Sequence, residues 1–98
     1  MRFMQIIEMQ TTRRDEVQAL IDEWRTTTAG RRTAQRALTG RDHDQNDVYL
    51  MVVEFPSYEA AMTNSDLPET RELAERLAKL CDAPPTFRNF DIIRQDDL

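Results

Sequence analysis

VYLMVVEFPSYEAAMTNSDLPETRELAERLAKL, residues Val48 to Leu80, decides how the rest of the chain is read. Its first eight residues, Val48 to Phe55, are β-branched, aromatic and aliphatic and form the clearest strand in the sequence. Pro56 ends that strand, and Ser57 is a good N-cap for a helix through YEAAMTNS. Pro68 cannot continue that helix, so a kink or break is expected near Asn64 to Asp66. Asp66 and Glu69 then stand as a second capping-box-like start. Beyond it Leu67, Thr70, Leu73, Ala74, Leu77, Leu80 and Cys81 recur on one helical face. A strand followed by a broken amphipathic helix is one half of a βαβ-type unit.

Working towards the N-terminus, GRDHDQND (Gly40 to Asp47) is a polar turn, and RRTAQRALTG before it reads as a weaker strand. Together with Val48 to Phe55 they make a β-hairpin. TTRRDEVQALIDEWRTTTAG precedes the hairpin. Thr12 with Asp15 resembles a capping box, Val17, Leu20, Ile21 and Trp24 form an apolar stripe, and Gly30 is a natural stop. Trp24 reads as a core residue of that stripe. FMQIIEM, Phe3 to Met9, is a strand with apolar residues on both faces, so both faces should be covered. At the other end Pro84-Pro85 closes the long helix, and TFRNFDIIR, Thr86 to Arg94, is a last strand. The order is β-α-β-β-α-β: one ferredoxin-like α+β domain over 1–98, with an antiparallel sheet and helices on one face. The opposite face is expected to bear Phe3, Ile7 and Met9 and to be covered by a second copy of the chain.

Composition narrows the function classes. With 40% hydrophobic and 32% charged residues the chain suits a globular domain. A net charge of -5 argues against a dedicated nucleic-acid binder. No apolar run approaches the roughly 20 residues of a membrane helix, and none suits a signal peptide. The lone Cys81 cannot form an internal disulfide, which fits a reducing cytoplasm.

MRFMQIIEMQT, the run VYLMVVEFPSYEAAMTNSDLPETRELAERL and PPTFRNFDIIR together resemble the antibiotic-biosynthesis-monooxygenase-like branch of the dimeric α+β barrel superfamily. The resemblance covers nearly the whole chain. It implies a homodimer whose two sheets form a barrel, with a small pocket between sheet and helices in each subunit. It also implies either a cofactor-independent oxygenase of aromatic or quinol-type substrates, or a haem-degrading enzyme. For the second activity the sequence departs from the pattern: Met62 stands three residues before Ser65, where such relatives carry a histidine. A thioether is a poor replacement for a proximal imidazole. No cofactor is therefore expected.

Within the hairpin turn, Asp42, Asp44 and Asn46 match the first, third and fifth positions of a calcium loop. Asp47 stands where the sharp turn needs Gly, and Val53 where the bidentate Glu belongs. His43 has no convergent partners for zinc, so no metal site is expected. The better candidates are polar residues within strands. Gln5, Asn89 and Asp91 are expected to meet on the helix-free face, with Asp91 as base or acceptor and Gln5 and Asn89 orienting a ligand. Arg36 with Tyr49 would hold an acidic or phenolic group, and Met51 would line the same space. The expected partner is a small apolar or aromatic molecule. The competing expectation is a non-catalytic dimerising or ligand-sensing module.

Overall fold

A computed structural model describes residues 1–98. The elements run β1 (Phe3–Gln10), α1 (Arg14–Thr27), β2 (Arg36–Arg41), β3 (Val48–Phe55), α2 (Tyr58–Asp66), α3 (Pro68–Leu80) and β4 (Thr86–Asp91). The strands form one antiparallel sheet in the order β2-β3-β1-β4. This is the βαββαβ ferredoxin-like arrangement.

The helix boundaries follow from identifiable residues. The Ser57 hydroxyl accepts the Ala60 N–H at 3.1 Å and caps α2 as expected. The break falls at Leu67, whose extended backbone (φ -62°, ψ 133°) lets Pro68 open α3. Asp66 does not cap α3; its carboxylate instead meets Arg71 at 3.3 Å. At the start of α1 the polar anchor is Thr11 rather than Thr12. Thr11 is fully buried, accepts the Arg13 N–H at 3.0 Å and donates to the Leu80 carbonyl at 2.6 Å. One hydroxyl thereby ties the start of α1 to the end of α3.

The register assigns every strand residue to a face. Phe3, Gln5, Ile7 and Met9 share a side with Phe55, Val53, Met51 and Tyr49. The main core cluster joins Ile7, Met9, Tyr49 and Met51 to Val17 and Leu20 of α1 and Leu77 of α3, so this is the helical side. Phe3, Phe55 and Ala61 of α2 form a second cluster. The expectation that Phe3, Ile7 and Met9 face away from the helices is therefore reversed. β1 is apolar on both sides, and alternation alone does not say which side the helices take.

The open side carries the rows Ile6–Val52–Leu38 and Glu8–Leu50–Gly40, with Met4 and Phe90 beside Glu54 and Arg36. Leu38 is 57% exposed and Leu50 40%, an unusual surplus of apolar surface for a sheet face. Glu54 is buried on this side between two guanidinium groups. Arg2 pairs with it, and Arg36 donates from Nε at 2.7 Å and Nη2 at 2.6 Å. Arg2 also donates to Gln95 Oε1 at 2.5 Å, which holds the C-terminal segment against the sheet edge.

Cys81 closes α3 and packs against the main core. Burial raises its thiol above the ordinary range, and the neighbouring Asp82 adds to this. Alkylation by iodoacetamide at pH 7.5 is expected to be several-fold slower in the native than in the urea-unfolded protein, since only the thiolate reacts. Equal rates would contradict that placement.

Candidate functional site

Between the helical side of the sheet and the helices lies a cavity of about 470 Å³. Its floor is Ile7, Met51, Val53, Ala37 and Phe87 of the four strands, and its roof is Ile21 and Trp24 of α1 with Leu73, Ala74 and Leu77 of α3. The volume lies within the range of small-molecule sites, and an apolar lining with a few placed polar groups is their usual construction.

α1 and α3 share the main core with β1 and β3 through Val17, Leu20 and Leu77, and Trp24 lines the cavity beside that core. Its indole N–H donates to Thr70 Oγ1 at 2.9 Å, bridging α1 to α3 over the cavity. The indole thus has a half-buried position with one face against Arg32, whose guanidinium carbon lies 5.7 Å from the ring centroid. Trp24 belongs to the cavity wall rather than to the packed core.

Polar groups interrupt this apolar lining, among them Gln18 of α1, Gln35 just before β2 and Thr70 of α3. Gln5 reaches in from β1, and its Nε2 donates to Asn89 Oδ1 at 3.3 Å. Thr39 contributes a hydroxyl from β2, in the same row as Met51 and Ile7. Asn64, buried on α2, accepts the Thr33 N–H through Oδ1 at 3.3 Å, which leaves its Nδ2 without a partner in the protein. Arg25 and Arg32 stand at the rim. No Asp, Glu, His, Cys or Tyr lines the cavity.

Of the residues singled out from sequence, Gln5, Met51 and Arg36 border the cavity. Gln5 and Asn89 do meet, but on the helical side. Asn89 stays exposed at the margin and is not part of the lining. Asp91 pairs in register with Phe3 at the exposed end of β4, also off the lining. Arg36 and Tyr49 do not form a pair. Arg36 shares the open side with Glu54, whereas Tyr49 is buried on the helical side opposite Arg41, with Arg14 5.9 Å above its ring. The cause is parity: an odd separation along paired strands puts side chains on opposite faces. Gln18, Gln35, Thr39, Asn64, Arg25 and Arg32 were missed. The polar interruption AAMTNS inside an apolar helix was the one available sign for Asn64.

The hairpin turn has a structural explanation. Asp42 Oδ1 accepts the N–H groups of Asp44 at 2.8 Å and Gln45 at 3.2 Å, and Oδ2 accepts Gln45 Nε2 at 3.0 Å. Asp47 takes the left-handed conformation, φ 63°, and its carbonyl accepts the Thr11 N–H at 2.9 Å. His43 is fully exposed, and no cluster of three metal-binding side chains occurs anywhere in the chain. The hydrogen bond from the Asp44 N–H, with those from Gln45, holds the Asp42 carboxyl below its usual range. A depressed folded pKa means that the turn's stabilisation is present above the ordinary Asp value near 3.9 and is lost as pH falls through the lowered one. The side-chain carboxyl carbon shift of Asp42 is expected to show its main change below about pH 4. Movement centred well above pH 4 would contradict the capping.

No family model and no curated protein matches the sequence. Solved structures match over nearly the full length. SnoaB, a cofactor-independent oxygenase from Streptomyces nogalater, superposes with a TM-score of 0.79, covering 96% of this chain and 95% of that one at 13% identity. Rv0793 from Mycobacterium tuberculosis gives 0.79 over 99% and 100% at 13% identity. An antibiotic biosynthesis monooxygenase gives 0.72 over 94% and 99% at 14% identity. The chain has the antibiotic biosynthesis monooxygenase fold. At these identities the likeness describes the path of the backbone, and function has to be argued from the side chains in the cavity. In this ABM-like fold the cavity lies between sheet and helices, where the sequence resemblance implied a pocket. No helix is long and apolar enough to cross a membrane.

Proposed function

We propose that the protein binds a small, fused-ring aromatic molecule in this cavity and oxidises it with molecular oxygen without a cofactor. The observation that carries the reading is the cavity itself: ligand-sized, floored by apolar side chains, and walled by the indole of Trp24. Cofactor-free oxygenation needs a substrate that reduces oxygen unaided, so the protein's task is to promote its ionisation and hold the anion away from bulk water. The balanced reaction for an activated methylene is R₂CH₂ + O₂ → R₂C=O + H₂O. The lining holds no carboxylate, imidazole or phenol to take the proton. The proton would pass to water at the rim, and ionisation would be favoured by the cationic groups there and by hydrogen bonds from Asn64 Nδ2, Gln5 and Thr39 to the developing oxyanion. The amide groups thus take the orienting roles, and Asp91 has none in the cavity as it stands.

The same lack of a basic side chain favours a second reading, a non-catalytic ligand-sensing module. Oxygen uptake with 9-anthrone separates the two. The oxygenase reading expects one O₂ consumed per anthraquinone formed, with no added metal or flavin. Saturable anthrone binding without oxygen uptake above the uncatalysed rate supports the sensor instead.

The open sheet face supports a homodimer. Two copies joined through Ile6, Val52, Leu38, Leu50 and Phe90 would bury the apolar rows that one copy leaves wet. Leu38→Glu combined with Leu50→Glu is expected to give monomers in sedimentation at micromolar concentration. An unchanged dimer, or a monomeric wild type, would contradict this assembly.

A further inference from the structure

The rim of the cavity has a charge that the rest of the chain does not explain. The protein is acidic, with net charge -5 and 18 carboxylate side chains, yet none of these carboxylates lines the cavity. Three arginines do. Arg36 is already neutralised by Glu54. Arg25 and Arg32 have no carboxylate within 4.0 Å, as is also true of Arg13, Arg41 and Arg88, whereas the other arginines each have at least one. An unpaired guanidinium is ordinary on an open surface. Arg32 is different because it is half-buried and held in place. Its Nη1 donates to the Arg25 carbonyl at 2.7 Å and approaches Thr28 Oγ1 at 3.5 Å, and its guanidinium carbon lies 5.7 Å from the centroid of the Trp24 ring. Those contacts use one corner of the guanidinium. Nε and Nη2, the edge that binds a carboxylate through two parallel hydrogen bonds, have no partner in the protein.

We infer that the cavity's ligand is an aromatic carboxylate, anchored by the Nε–Nη2 edge of Arg32 with Arg25 as a second cation. This rests on the reading of the cavity as a small-molecule site and names the chemical class that site selects. The ring system lies on Ile7, Met51 and Val53, and the acid points to the rim beside Trp24. Because Arg32 is positioned before the ligand arrives, little side-chain entropy is lost on binding. Neutral analogues would fit the floor but leave the guanidinium edge unpaired.

Isothermal titration of the full chain with anthracene-2-carboxylate and anthracene-2-carboxamide tests the inference, with the emission of Trp24, the only tryptophan, as a second readout. The wild type is expected to bind the acid about tenfold or more tighter than the amide. Arg32→Ala should remove most of that preference by weakening the acid alone, with amide affinity unchanged within about twofold. Arg32→Lys should fall between, keeping charge but losing the paired geometry. In the wild type the preference should also shrink as salt rises from about 0.05 to about 0.5 M, a test that requires no variant to fold. Equal binding of acid and amide by the wild type overturns the inference and leaves the cavity reading intact. So does a preference that survives Arg32→Ala. If neither compound binds, both readings fail.

Discussion

Leu77→Ala is expected to lower the stability of the domain by about 3 kcal/mol. Leu77 is 3% exposed and is the α3 residue that enters the main core, where it packs with Ile7, Met9, Val17, Leu20, Tyr49 and Met51. Truncation removes three buried carbons and leaves a void. The void cannot close by inward collapse, because Leu77 also forms part of the cavity wall and the far side is already empty. α3 is further held in place by the Thr11 bond to the Leu80 carbonyl and the Trp24 bond to Thr70. In a domain of this size each kcal/mol shifts Tm by about 4–8 °C, so a drop of roughly 12–24 °C is expected in thermal unfolding. The comparison is made at one protein concentration, so that any self-association contributes equally to both. A change below about 4 °C would mean that α3 does not carry the core as described.

The second large effect concerns binding. Ala37→Phe is expected to lower affinity for any ring-bearing ligand of the cavity by about two orders of magnitude, while the fold persists. Ala37 stands on β2 opposite Val53 and in the same row as Gln5, so its side chain is on the cavity side. A phenyl group there occupies the floor on which the ligand's rings would lie. The strand tolerates the change, because β2 is an edge strand and Phe is a better strand former than Ala. Leu38→Phe is the control. It lies one residue away on the open face, and it should leave monomer-level ligand affinity within about twofold. Weakening by both, or by neither, would place the ligand outside the cavity.

Much of the architecture was legible because it depends on local signals. Ser57, Pro56 and Pro68 mark the boundaries of β3, α2 and α3, and the stripe from Val17 to Trp24 fixes the inner face of α1. The facing of the sheet was not legible. Met4 and Ile6 are as apolar as Ile7 and Met9, so either face of β1 could have taken the helices, and Gln5, Asn89 and Asp91 moved with that choice. The cavity was harder still. Thr39, Asn64 and Arg32 come from three separate segments, and the only thing they share is the space α1 and α3 leave above the sheet. α1 and α3 are joined over that space by the Trp24–Thr70 bond, for which the sequence carries no periodic signal.

Whether the space beside Trp24 holds a fused-ring ligand is seen most plainly in a crystal structure of the chain grown with anthracene-2-carboxylate. Ring density is expected on Ile7, Met51 and Val53, beside the Trp24 indole, between sheet and helices. Ring density on the open sheet face among Ile6, Val52 and Leu38, with the cavity beside Trp24 filled only by water, would contradict it.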